Sequence, residues 1–95
     1  MRVFGVAKLN EFGKEHKKAV RPLINWEKVT RAATWKNSQE MKKTFNSADY
    51  YDHKAVLNVG GNNFRVIASV DFGKQIVTVI HVMTHAEYDK DRRKK

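Results

Sequence analysis

The chain has 95 residues, 41% of them hydrophobic, and no cysteine. That length suits one domain with a modest core, and the apolar content is too high for a disordered chain; without thiols there is neither a disulfide framework nor a cysteine zinc site. The formal net charge of +9 is uneven: residues 1–43 carry eleven bases against four acids, residues 44–89 three against five, and residues 90–95 five against one. Such a field draws polyanions, nucleic acids first among them.

Arg2–Val6 is short, apolar and β-branched, as an opening strand is. Charges at Arg2 and Lys8 argue against a signal peptide, and no apolar run approaches the roughly 20 residues of a membrane span. A cytoplasmic protein without membrane attachment is expected. Leu9, Phe12 and His16 then follow helical spacing, and Lys17 and Lys18 suit a helix C-terminus. Pro22 marks the start of a second amphipathic helix over 22–33, with Leu23, Trp26 and Ala33 on one face. Trp26 on that face is expected to pack in the core. Trp35 lies in a connector over 34–36, where packing is favoured over stacking on a base.

Asn37 with Glu40 resembles a capping pair, and Met41 and Phe45 share a face, so 38–45 reads as a third, short helix. Residues 46–53 show no period and read as loop. The second half is β-rich. Lys54–Val59 and Asn63–Asp71 flank Gly60–Gly61, a pair suited to a tight hairpin turn. A two-residue turn sets Leu57 opposite Phe64, Val56 opposite Arg65 and Asn58 opposite Asn63. One face then holds Leu57, Phe64, Val66, Ala68 and Val70; the other holds Asn58, Asn63, Arg65, Ile67 and Ser69. Gly73 turns the chain into Gln75–Met83, apolar on both faces and so a central strand. Thr84 and Glu87 form a capping box that opens a last helical turn, which frays into the basic tail over 90–95. No repeat or linker interrupts this order. The pattern is α+β: N-terminal helices packed on a small antiparallel sheet, in a single domain over 1–95.

Three residues draw attention for chemistry. Arg65 lies mid-strand near the Gly-Gly turn; it suits either a bidentate grip on phosphate or a surface pair with a carboxylate. His85 and Tyr88 project from one side of a helical turn, where His85 either transfers protons or simply caps the helix. His81 and His85 are four apart, but a strand end meets a helix start there, so a metal reading fails. His16 and His53 stand alone. No phosphate loop or G-x-S-x-G motif is present, and no cofactor or metal is expected.

Asn58–Phe72 (NVGGNNFRVIASVDF) and Val82–Lys90 (VMTHAEYDK) together resemble the HigB family of bacterial toxins, part of the wider RelE-like group. The helical part, with Trp26, Ala33 and Trp35, is similar in order and length. The resemblance implies an mRNA endonuclease that halts translation, usually at the ribosome. It also implies an antitoxin partner, commonly a helix-turn-helix DNA-binding protein (HigA-like). By position, Arg65 aligns with the family's strand arginine, and His85 and Tyr88 with its T-H-x-E-Y-D motif. Metal-free RNA cleavage by the 2′-hydroxyl needs a base, an acid and a cation for the phosphorane. Arg65 is the candidate cation, and His85 and Tyr88 serve proton transfer or hydrogen bonding. Lys54, expected near the same sheet end, is a weaker candidate. Lys17, Lys18, Lys42, Lys43, Asn58 and Asn63 are candidate RNA contacts. The rival readings are a non-catalytic RNA- or DNA-binding module and a domain that docks an acidic protein.

Overall fold

The computed structural model describes residues 1–61 and 63–87. In chain order its elements are β1 (Arg2–Phe4), α1 (Val6–Glu15), a 3-10 turn (Lys17–Ala19), α2 (Val20–Ala32), α3 (Ser38–Thr44), β2 (Asp49–Tyr51), β3 (Lys54–Val59), β4 (Phe64–Asp71) and β5 (Ile76–Thr84). The backbone is helical again over 85–87. The strands form one sheet in the order β1-β5-β4-β3-β2. The α+β arrangement agrees with the sequence pattern. β2 to β5 pair antiparallel, while β1 joins β5 in parallel, so the sheet is mixed. A parallel neighbour needs a crossover, which the helices supply between β1 and the rest.

β1 ends two residues earlier than the apolar run suggests because Gly5 adopts φ +82° and starts α1. A Cβ at Gly5 would lie 2.7 Å from the Val79 carbonyl oxygen, so glycine is required there for both space and conformation. α2 begins at Val20 rather than Pro22. Pro22 sits in its first turn, where backbone N–H groups lack helical acceptors and a missing one costs nothing. Leu23, Trp26 and Thr30 are its buried face. α3 is capped by Asn37, whose side chain accepts from the Glu40 N–H at 3.0 Å. Glu40 returns the favour one residue early, accepting from the Lys36 N–H at 3.0 Å. Trp35 is buried, donates to the Thr44 hydroxyl at 2.9 Å and meets Phe45 edge-on. It is a packing residue, as favoured.

Two expectations are corrected. Residues 46–53 are not all loop, since Asp49–Tyr51 pair with Lys54–Val56 as an edge strand. Asp52 and His53 both take positive φ and close the hairpin, a turn that usually advertises itself by Asn-Gly or Asp-Gly. The β3–β4 register also differs, because the turn holds four residues. Val59 faces Phe64, Leu57 faces Val66 and Asn58 faces Arg65. Sliding one strand by two residues keeps every side chain on its expected face. Asn63 leaves the ladder and lies in the turn.

The helices cover one face of the sheet. Its buried residues there include Leu57, Val59, Phe64, Val66, Ala68, Val70, Val77 and Val79, joined to Leu9, Leu23 and Trp26. Each large apolar side chain so buried contributes about 1.5–3 kcal/mol. On the second face Val56, Ile67, Ser69, Ile76 and Thr78 are half-buried. No described helix is long and apolar enough to cross a membrane.

Candidate functional site

A bulge in β5 creates the site's geometry. Ala68 pairs with Val79 but Ile67 pairs with His81, so Ile80 is the extra residue. Lys8 Nζ donates to the Ile80 carbonyl at 2.9 Å, satisfying an acceptor beside the break in the ladder. Strict alternation from Val77 and Val79 would send His81 and Met83 into the core. The bulge reverses that parity. Val82 turns toward the core, while His81 and Met83 join the second face. Met83 lies directly opposite Arg65, and Asn58 flanks Arg65 on the other side.

His85 arrives at the same end. Its N–H donates to the Asn63 carbonyl at 2.9 Å, two residues before Arg65. The sequence pattern separated these two positions by twenty residues; the β4–β5 pairing brings them to one end of the sheet. The Thr84–Glu87 capping box fixes the turn: the Glu87 carboxylate accepts from Thr84 N–H at 2.9 Å, and the Thr84 hydroxyl accepts from Glu87 N–H at 3.1 Å. Those hydrogen bonds, the backbone one first, hold the Glu87 carboxyl below its ordinary value of 4.5. His16 and His81 add smaller Coulombic pulls, and desolvation opposes them.

Two histidines to which the sequence assigned no part in this site gather at the same end. His16 and His81 both come close enough to act on Glu87. His16 is half-buried, stacked on Phe12 at 4.1 Å between ring centroids and edge-on to Phe64. Its place at the C-terminus of α1 was legible; its meeting with Phe64 at the start of β4 was not.

The remaining expected residues divide. Lys17 and Lys18 are exposed, and Lys18 lines a groove with Pro22, Gly60, Asn63 and Phe64, beside the turn that holds His85. Asn58 is at the site but committed, donating from Nδ2 to the Ser47 hydroxyl at 2.8 Å. Lys42 and Lys43 are exposed in the last turn of α3. Lys54 is not near this end. It pairs with Ser69, four residues down β4 from Arg65, a distance of about 13 Å along the strand. Tyr88 and the tail over 90–95 lie outside the described residues. Among the described residues no group of three or more His, Asp or Glu side chains is placed to hold a metal ion.

The sequence profile of the HigB toxins, described as the RelE-like toxic component of a toxin-antitoxin system, matches residues 19–91. The chain is 31% identical over 93 residues to the mRNA interferase HigB of Escherichia coli O6:H1, covering 95% of this chain and 90% of that protein. It is 45% identical over 58 residues to the mRNA interferase toxin HigB of Escherichia coli strain K12, covering 58% of this chain and 56% of that one. The mRNA interferase HigB of Shigella flexneri matches to the same extent.

Proposed function

The chain belongs to the HigB family of RelE-like toxins, and on that premise we propose that it is an endoribonuclease that cleaves mRNA and halts translation. The observation that carries the reading is the convergence of Arg65 and His85 at one end of the sheet, through the hydrogen bond from His85 N–H to Asn63. A permanently charged guanidinium and an imidazole able to exchange protons near neutral pH are what phosphodiester transfer requires.

In the proposed mechanism the ribose 2′-hydroxyl attacks the neighbouring phosphorus. The bond to the 5′-oxygen of the next nucleotide breaks, leaving a 2′,3′-cyclic phosphate. Arg65 stabilises the charge that builds on the phosphorane oxygens. His85 carries one of the two proton transfers, taking the 2′-hydroxyl proton or protonating the leaving oxygen. Tyr88 supplies a hydrogen bond or the other transfer. No metal takes part. Lys17 and Lys18, on the neighbouring basic turn, hold the RNA backbone, with Lys42, Lys43, Asn58 and Asn63 as further contacts. The protein acts in the cytoplasm on mRNA at the ribosome, and a helix-turn-helix antitoxin neutralises it.

Induced expression with mapping of mRNA 5′ ends tests the reading. Loss of one charge-stabilising donor lowers such a rate by about 100–1000-fold, and loss of a proton-transfer group by about 100–10,000-fold. Arg65→Ala and His85→Ala should therefore each abolish new 5′ ends and growth arrest while keeping the fold. Full toxicity in both variants would remove this site. Tight, salt-sensitive RNA binding with no cleavage product would favour a non-catalytic binding module instead.

A further inference from the structure

Four large apolar side chains are exposed among the described residues, and two of them, Tyr51 and Phe4, stand on the two edges of the second face. The registers place them in one row across the sheet. Tyr51 pairs with Lys54, Lys54 with Ser69, Ser69 with Thr78, and Thr78 with Phe4. Directly paired residues share a face, so all five look out together. Four inter-strand spacings separate the two rings' strands, about 19 Å in all. Each edge also carries a cation on the same face: Lys54 opposite Tyr51, and Arg2 two residues before Phe4.

The row borders an open cleft of about 660 Å³ whose lining includes His53, Ser69, Asp71, Lys74 and Thr78. Tyr51 is 85% exposed, yet its backbone is firmly held. The following turn, Asp52–His53, is left-handed at both residues, and the His53 carbonyl accepts from the Val70 N–H at 2.9 Å. Non-glycine residues held in that conformation store strain, which the surrounding ladder must sustain. A ring kept in water on a fixed backbone stabilises no core. It is suited to stacking on a flat partner.

We propose that this row is a nucleobase-stacking subsite for single-stranded RNA, lying about 13 Å down the sheet from Arg65 and taking the bases of nucleotides flanking the scissile phosphate. The inference rests on the reading of the protein as an endoribonuclease. Exposed aromatics on an open sheet are a recurrent platform for unpaired bases, because every base offers a π-face. Asp49 and Asp71 lie on or beside the same face and partly offset Lys54, Lys74 and Arg2, leaving a balance of only one positive charge, so attraction for phosphate is modest here. Stacking is therefore the principal attraction in this row. Salt-sensitive binding belongs to the basic turn at Lys17 and Lys18.

The test is binding of a fluorescent 2′-O-methyl oligoribonucleotide, which cannot be cut by 2′-hydroxyl attack, alongside cleavage of its 2′-hydroxyl counterpart. Tyr51→Ala should raise Kd by about 5–150-fold, the range for one lost base–aromatic stack. Phe4→Ala should act in the same direction, and Tyr51→Phe should stay within about twofold because the ring remains. An abasic nucleotide at the stacked position should erase the difference between wild type and Tyr51→Ala. Raising the salt should leave the Tyr51→Ala ratio unchanged, while Lys17→Ala with Lys18→Ala flattens the salt slope. Wild-type cleavage with unchanged binding in Tyr51→Ala and Phe4→Ala would overturn the subsite alone. A wild type that neither binds nor cuts RNA would overturn both this inference and the endoribonuclease reading. Loss of antitoxin binding with RNA affinity intact in Tyr51→Ala would reassign the row to protein contact and overturn the subsite.

Discussion

The two faces of β3, β4 and β5 come from alternate residues of the same strands, yet they do opposite work. Toward the helices, Leu57, Val66, Ala68, Val77 and Val79 are nearly inaccessible to water. Toward the other side, Val56, Ile67, Ser69 and Thr78 are half-buried, and Arg65, His81 and Lys54 share that surface. Apolar burial is concentrated on the first face, so the second is free to carry charge and polar groups. This division predicts that stability and RNA chemistry can be damaged separately.

The largest test compares truncations on the two sides. Leu57→Ala on the covered face should lose about 2–5 kcal/mol of stability, read as a lowered midpoint in urea unfolding. Ile67→Ala on the second face, half-buried, should lose roughly 1 kcal/mol, in line with ordinary point substitutions. Equal losses would break the comparison. Gly5→Ala comes next. Both its left-handed φ and the nearby Val79 carbonyl oppose a side chain, so a loss of about 1–3 kcal/mol is expected where β1 joins the helices. A thermal melt unchanged from wild type would mean that β1 contributes little to the sheet.

The smallest effect concerns Glu87 at the site end. Its carboxyl titrates lower in the folded protein than its ordinary value of 4.5. The stabilisation from this group is therefore complete above that value and fades as pH falls through the lowered folded value. Glu87→Gln preserves the capping geometry and should remove this part of the acid dependence, with little change at neutral pH. Unfolding midpoints measured from pH 3 to 7 in the two proteins check it; parallel curves would remove Glu87 from the acid response.

Much of this was readable in the chain. The helical spacing of Leu23 and Trp26, the Asn37–Glu40 pair and the Thr84–Glu87 box state local preferences that the fold obeys. The outward face of Arg65 survived an error in register, because the slip was even. What escaped was non-local. Asp49–Tyr51 is too short to show alternation and becomes a strand by pairing with β3. Lys54 looked close to Arg65 in sequence, but antiparallel pairing sets Asn58 beside Arg65 and leaves Lys54 at the far end of the strand. The parallel partnership of β1 with β5 joins segments more than seventy residues apart.

The sequence by itself determined the α+β order, the apolar face of each main element and the chemical character of Arg65 and His85. These follow from side-chain period, capping and residue type, which act over a few residues. The tertiary structure alone decided which groups meet. A single extra residue at Ile80 sets His81 and Met83 on the face of Arg65, His81 exposed and Met83 still buried there, and the packing of α1 against β5 brings His16 near Glu87. Pairing between distant strands sets such meetings, and no local preference encodes it.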